Sequence, residues 1–268
     1  MSPSAEFSGA ASAIVSASNK VHVLLRKEDF DPARLSAKVV IVLDILFATT
    51  TIVTALAHGA REVIPATDEH DARNCAKQFS SDDTLLAGEK HIHAIDGFAS
   101  PLPLALVQHG VANKRLIYST TNGTVALRQA AVAPHVYAAC LLNGAATVDH
   151  VLRAHPNESV LVVCSGSAGG MNLEDYYGAG YIVDCLAANF EPTQHFTDAA
   201  LTAQRLYRTH DAFDSLLSSR VGRIMERSGL TDEVRYAAQP AGVHAEVGEA
   251  VLAVNHRGAQ VEIGRAHV

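Results

Sequence analysis

Leu116-Ile117-Tyr118-Ser119-Thr120-Thr121-Asn122-Gly123-Thr124-Val125-Ala126-Leu127 joins an apolar run, a hydroxyl-rich turn and the start of a helical pattern. A short buried strand emptying into such a turn offers free backbone N–H groups, hydroxyls and a glycine that lets an anion approach closely. The same form occurs twice more. Val39 to Leu43 leads into Asp44, then Ala48-Thr49-Thr50-Thr51 and an Ala-rich helical stretch. Val160 to Val163 leads into Ser165-Gly166-Ser167-Ala168-Gly169-Gly170, then Glu174-Asp175 and another helix. Three anion-friendly turns, two with carboxylates attached, predict a site for a phosphorylated or otherwise acidic small molecule. Their similarity also hints at internal duplication.

Working outward, the pattern keeps alternating. Strands are predicted at 21–25, 39–43, 62–65, 85–87, 115–119, 135–139 and 159–164, with helices at 48–60, 68–79, 123–132, 143–154 and 173–188. The 39–43 run is the pattern of a strand covered on both faces, as in a parallel sheet. Residues 91–104 lack periodicity and read as a loop over one edge of the site. The span 198–229 reads as helical, and 233–263 carries β-like runs such as Glu249 to Val254. The expectation is an α/β fold, a three-layer α/β/α arrangement around a largely parallel sheet. Residues 1–20 read as a poorly ordered extension, and 21–268 as a single unit with room for two lobes.

Composition narrows the function classes. No stretch approaches the roughly 20 apolar residues of a membrane helix, and no secretion signal is visible, so a cytoplasmic protein is the default. A net charge of −7 without a basic run argues against nucleic acid or an anionic membrane as partner. Cys75, Cys140, Cys164 and Cys185 are widely spaced and read as free thiols. A homodimer is the base-rate expectation. An acidic protein that takes a small anionic substrate needs a local cation, which points to a metal ion.

Ligands of parallel sheets sit beyond the carboxyl ends of the strands. Asp44, Glu89, Thr120, Thr121, Asn122, Ser165 and Gly166 fall at such ends, and Glu174 and Asp175 open a helix. Four carboxylates around a phosphate would repel it and one another, whereas Mg²⁺ removes both conflicts. Mg²⁺ takes one or two protein carboxylates, so Asp44 is expected to hold it together with Glu89, Glu174 or Asp175. Each feature has a second reading. Thr49, Thr50 and Thr51 form an N-cap cluster as readily as a phosphate cradle. Glu174 and Asp175 would also complement a helix dipole. Asn122-Gly123 suits a hairpin turn. His91 and His93 would share one face of an extended segment, but no third metal ligand is specified.

Asp44-Ile45-Leu46-Phe47-Ala48-Thr49-Thr50-Thr51-Ile52 resembles the Asp-Val-Leu-Arg-Ala-Thr-Thr-Thr-Ile signature of the 2-phosphosulfolactate phosphatase family. Gly59-Ala60 with Glu62-Val63 and Pro65, Gly88-Glu89-Lys90, Thr120 to Thr124, Leu173-Glu174-Asp175 with Gly180, and Ser219-Arg220 follow in that family's order. The resemblance covers roughly residues 21–240. It implies an α/β/α fold and Mg²⁺-dependent hydrolysis of a phosphate ester, without a classical nucleophile motif. On this reading Asp44, Glu89, Asn122, Glu174 and Asp175 are the catalytic candidates, with Asp44, Glu89 and Asp175 around the metal. Thr49, Thr50, Thr51, Thr120, Thr121, Gly123, Thr124, Ser165 and Gly166 would hold the substrate. Two stretches depart from the pattern. Phe47 replaces the family's arginine, and Gly97-Phe98-Ala99-Ser100-Pro101-Leu102-Pro103 rewrites its Gly-Phe-Asp-x-Gly-Asn-Ser-Pro substrate loop. These departures keep open a lyase, isomerase or hydrolase of another acidic metabolite, or a metabolite-binding protein on the same scaffold.

Overall fold

A computed structural model describes residues 20–36, 38–189, 196–239, 252–257 and 260–265. The first half contains β1 (Val21–Leu24), β2 (Lys38–Leu43), α1 (Ala48–Ala57), β3 (Glu62–Ala66), α2 (Glu69–Ala76), β4 (Thr84–Lys90) and β5 (His93–Ala94). Then come α3 (Pro103–His109), β6 (Arg115–Ser119), α4 (Gly123–Ala130), β7 (His135–Ala139), α5 (Gly144–Ala154), β8 (Ser159–Cys164) and α6 (Leu173–Ala187). Four helices follow, α7 (Asp198–Thr209), α8 (Ala212–Ser218), α9 (Arg220–Arg227) and α10 (Thr231–Ala237), and then β9 (Leu252–Arg257) and β10 (Gln260–Arg265).

The strands form one sheet in the order β1-β8-β2-β7-β9-β10-β3-β6-β4-β5. β1, β8, β2 and β7 are mutually parallel, as are β3, β6 and β4. The antiparallel β9–β10 hairpin joins the two blocks, pairing with β7 on one side and β3 on the other. The three-layer α/β/α expectation agrees with this sheet. β2 explains its own placement: Val39 to Leu43 are all 0% exposed, as a strand flanked on both edges and covered on both faces requires.

Helix ends follow local chemistry. Asp68, Thr197, Asp211 and Ser219 each accept a backbone N–H with the side chain and start α2, α7, α8 and α9. α1 stops short of the expected 60, because Gly59 adopts φ +89°. α2 is shorter than the predicted 68–79, and the helical span 198–229 is broken at the Asp211 and Ser219 caps. The β-like reading of 233–263 fails at its start, where α10 carries Glu233 to Ala237. Its later part is the β9–β10 hairpin, while residues 249–251 and the extension at 1–19 lie outside the described residues. β4 is longer than the predicted 85–87, because register with β6 extends it from Thr84 to Gly88 and β5 extends it to Lys90.

All four cysteines are free; Cys140 and Cys164 are buried, Cys75 and Cys185 half-buried. Among the described residues no helix is long and apolar enough to cross a membrane.

Candidate active site

Each carboxylate reaches the site through its own turn. At the end of β2 the chain tightens: the Thr49 hydroxyl contacts both the Asp44 N–H and C=O at 3.0 Å, and Thr50 Oγ1 donates to Ile45 O at 2.6 Å. Asp44 is thereby held with its carboxylate beside the Ala48 and Gly123 N–H groups, which favour its charged form. At the end of β4, Glu89 accepts the Thr121 N–H and the Ile92 N–H, both at 2.6 Å, and the Thr121 hydroxyl at 3.1 Å. After β8, the two oxygens of Asp175 take the Ile45 N–H at 2.9 Å and the Gly166 N–H at 3.2 Å. Asp175 is a brace between two turns. Its neighbour Glu174 is buried, yet its Oε2 has no hydrogen-bond partner among the described residues.

These turns enclose a cleft of about 380 Å³ lined by Asp44, Phe47, Glu89, His91, Thr121, Asn122, Glu174 and Arg220, among others. Burial raises the Asp44 carboxyl well above its usual range, reinforced by the charges of Asp175 and Glu89. Burial likewise brings Asp175 to about 8, with Glu174 adding to the shift. Glu174 rises to about 7, chiefly by burial and further by Asp44; its own N–H, the Ser219 hydroxyl and Arg220 oppose the rise. Carboxyls that hold protons near neutrality beside one another form a site with a deficit of positive charge.

Two side-chain cations partly meet it. Lys27, just after β1, sets Nζ 2.9 Å from Asn122 Oδ1 and 2.9 Å from Glu28. Arg220 begins α9 and donates to the Ser167 hydroxyl. Neither was among the predicted site residues: Arg220 entered only through Ser219-Arg220 and the helical span 198–229, and Lys27 was not singled out. Both sit near the cleft through chain-distant contacts.

The predicted residues divide sharply. Asp44, Glu89, Thr121, Asn122 and Glu174 line the cleft. Thr120 and Thr124 face each other instead, each hydroxyl taking the other's N–H, at 2.9 and 3.0 Å, so they build the turn. Thr51 donates to Pro101 O, and Ser165 Oγ donates to Leu43 O at 2.7 Å. With Thr49 and Thr50 engaged as above and Gly166 N on Asp175, the hydroxyls and amide expected to cradle a phosphate are already taken by the protein. Gly123 serves by size, as the backbone beside which Asp44 fits. Asp175, expected at the metal, has both oxygens bonded to backbone and lies behind the cleft.

Two loop expectations also change. His91 and Ile92 have φ +52° and +75°, because Glu89 bends the chain by taking the Ile92 N–H; the extended segment with His91 and His93 on one face does not form. The 97–103 segment does not line the cleft. It packs along β4 through the Ala87–Ala99 bridge and is tied to α1 and β6 where Thr51 and Tyr118 both donate to Pro101 O.

Residues 24–245 match the model of the 2-phosphosulpholactate phosphatase family. The chain belongs to that family. Its members are phosphoric monoester hydrolases, and the match spans every turn that forms the cleft. Among curated relatives, the protein of Clostridium perfringens (strain SM101) named probable 2-phosphosulfolactate phosphatase is 33% identical over 223 residues, covering 82% of this chain and 89% of that one. Proteins of the same name are 35% identical in Caldanaerobacter subterraneus subsp. tengcongensis, over 75% of this chain and 83% of theirs, and 36% identical in Symbiobacterium thermophilum, over 76% and 88%. Against this 2-phosphosulpholactate phosphatase background, Phe47, where the sequence departs from the signature it resembles, stands in the cleft wall; Arg220 lines the same cleft, and Lys27 bonds its Asn122.

Proposed function

We propose that the chain hydrolyses the phosphate ester of a small acidic metabolite, with a divalent cation of the Mg²⁺ type at the cleft. The observation that carries this reading is the unpartnered, buried Oε2 of Glu174, in a cleft it shares with Asp44 and Glu89. An all-oxygen donor set suits a hard cation. Among the described residues these carboxylates do not bring three ligand atoms within 4.8 Å, so the ion would need water and substrate oxygens to complete its shell. Asp44 would hold it with Glu89 or Glu174. When bound, the cation supplies charge neutralisation for the phosphoryl oxygens.

The side chains supply the rest. Arg220 and Lys27 bind the anionic groups of the substrate, and Asn122, held by Lys27 Nζ, orients it. Phe47 offers an apolar wall that limits water on one side. Glu174 Oε2 takes a proton from the attacking water as its oxygen bonds to phosphorus. The ester P–O bond breaks, and the released alkoxide takes that proton from Glu174, giving the alcohol and phosphate and restoring the carboxylate.

The test is phosphate release from a panel of 2-phosphorylated carboxylates and sulfonates, with Mg²⁺ and after chelation. The reading requires release that depends on the metal and falls by about 10²–10³-fold in Asp44→Asn. Release unaffected by chelation would remove the metal role; no release across the panel would return the chain to the binding or diverged-enzyme alternatives.

A further inference from the structure

A second cluster lies at the other ends of the central strands. His135 opens β7, His155 closes α5, and Glu158 precedes β8, so the three gather at the amino ends of β7 and β8, whereas the cleft lies beyond the carboxyl ends of β2, β4, β6 and β8. Each offers a ligand atom, and these atoms all lie within 4.8 Å of one another. We propose that His135, His155 and Glu158 form a transition-metal site, of the Zn²⁺ class, separate from the cleft.

Three observations support it. Glu158 Oε1 is 3.5 Å from His135 Nε2 and 3.6 Å from His155 Nδ1. These separations are long for hydrogen bonds but close to the edge of a tetrahedron with arms of about 2.1 Å, which is about 3.4 Å. Glu158 Oε2 is buried with no hydrogen-bond partner among the described residues, so that oxygen is open to an ion. On the far side of the ring, His155 Nε2 is 2.8 Å from the Tyr137 hydroxyl, which is 3.2 Å from His150 Nε2. A Nε2–H donated to Tyr137 leaves the Nδ1 lone pair of His155 directed at the cluster, the arrangement that orients metal-bound imidazoles.

The rings of His135 and His155 are 3.9 Å apart, a contact that two protonated imidazoles would oppose. Two imidazoles and one carboxylate leave a fourth position for water. The site pins the His155–Glu158 turn to β7, with β2 running between β7 and β8.

The full chain, stripped with chelator and kept in excess Mg²⁺, is titrated with Zn²⁺ by calorimetry and with Co²⁺ by visible absorption. Expected are one tight ion per chain, the intense spectrum of tetrahedral Co²⁺, and a raised Tm. His135→Ala and Glu158→Gln, both at partly exposed positions, should each weaken binding at least about tenfold and abolish the tetrahedral spectrum. Far-ultraviolet circular dichroism of each variant checks that it folds. Absence of binding to the wild type, or the same stoichiometry and spectrum in both variants, overturns the proposal.

Discussion

A methyl group on residue 123 would stand 2.1 Å from Oδ2 of Asp44 and 2.4 Å from Cβ of Ala48. Gly123 therefore sets how near the β6–α4 turn comes to the β2–α1 turn, and with it the position of the Asp44 carboxylate. In Gly123→Ala either Asp44 rotates away or the two helices separate. Overpacking of this kind costs about 1–3 kcal/mol. Stability measured in urea should fall by that amount, and phosphate release by on the order of 100-fold. An alanine variant with full activity would show that Asp44 is not held where catalysis needs it.

Asp175 gives a prediction of the opposite kind, because its oxygens bond to backbone N–H groups from two turns. In Asp175→Asn one acceptor becomes an amide NH₂ facing an N–H donor. Leaving one of the buried groups Ile45 N or Gly166 N unpaired costs about 1–3 kcal/mol. The expected result is a lower unfolding midpoint with activity lost through displacement of the turns. Asp175→Asn at wild-type stability would refute the bracing role.

The fold was legible because its strands are covered and its helices are capped. The Val39 to Leu43 run has no polar face, so it predicts a central strand, and Asp44 at its end is where a buried carboxylate has to be explained. Which hydroxyls face the ligand was not legible. Thr49, Thr120 and Ser165 share composition with Thr121, and only the path of the backbone decides that three of them bond inward while Thr121 meets Glu89. Glu174 and Asp175 are adjacent and chemically similar, yet one helical step separates the brace from the cleft. Arg220 and Lys27 arrive from opposite ends of the chain, a closeness no local pattern encodes.

Stability should depend on pH through the same carboxyls. Asp and Glu have ordinary values of 3.8 and 4.5, whereas Asp175 and Glu174 stand at about 8 and about 7 in the fold. The folded chain thus holds more protons than the unfolded one between these values. Their contribution is fully present below the unfolded values and is lost as pH rises through 7 to 8. With chelator present, Tm should fall between about pH 5 and about pH 8.5, and Glu174→Gln should flatten the slope. Mg²⁺ added at the higher pH should recover part of the loss. A Tm that rises over this interval would contradict the burial argument.

Arg220 provides the sharpest test of how the cleft manages without an arginine at position 47. Its guanidinium holds the Ser167 hydroxyl and lines the same wall as Glu174. Arg220→Ala should lower kcat/KM by about 10–100-fold, mainly through KM if the group binds the substrate's anionic end in both ground and transition states. Arg220→Lys should restore only part of this, because an ammonium cannot present the planar fork of donors that a carboxylate or phosphate accepts. Arg220→Ala also removes a cation that opposes the raised pKa of Glu174, so the acid side of its pH–rate profile should move to higher pH. A change in kcat alone, with KM and the pH profile untouched, would assign Arg220 to the transition state and not to substrate binding.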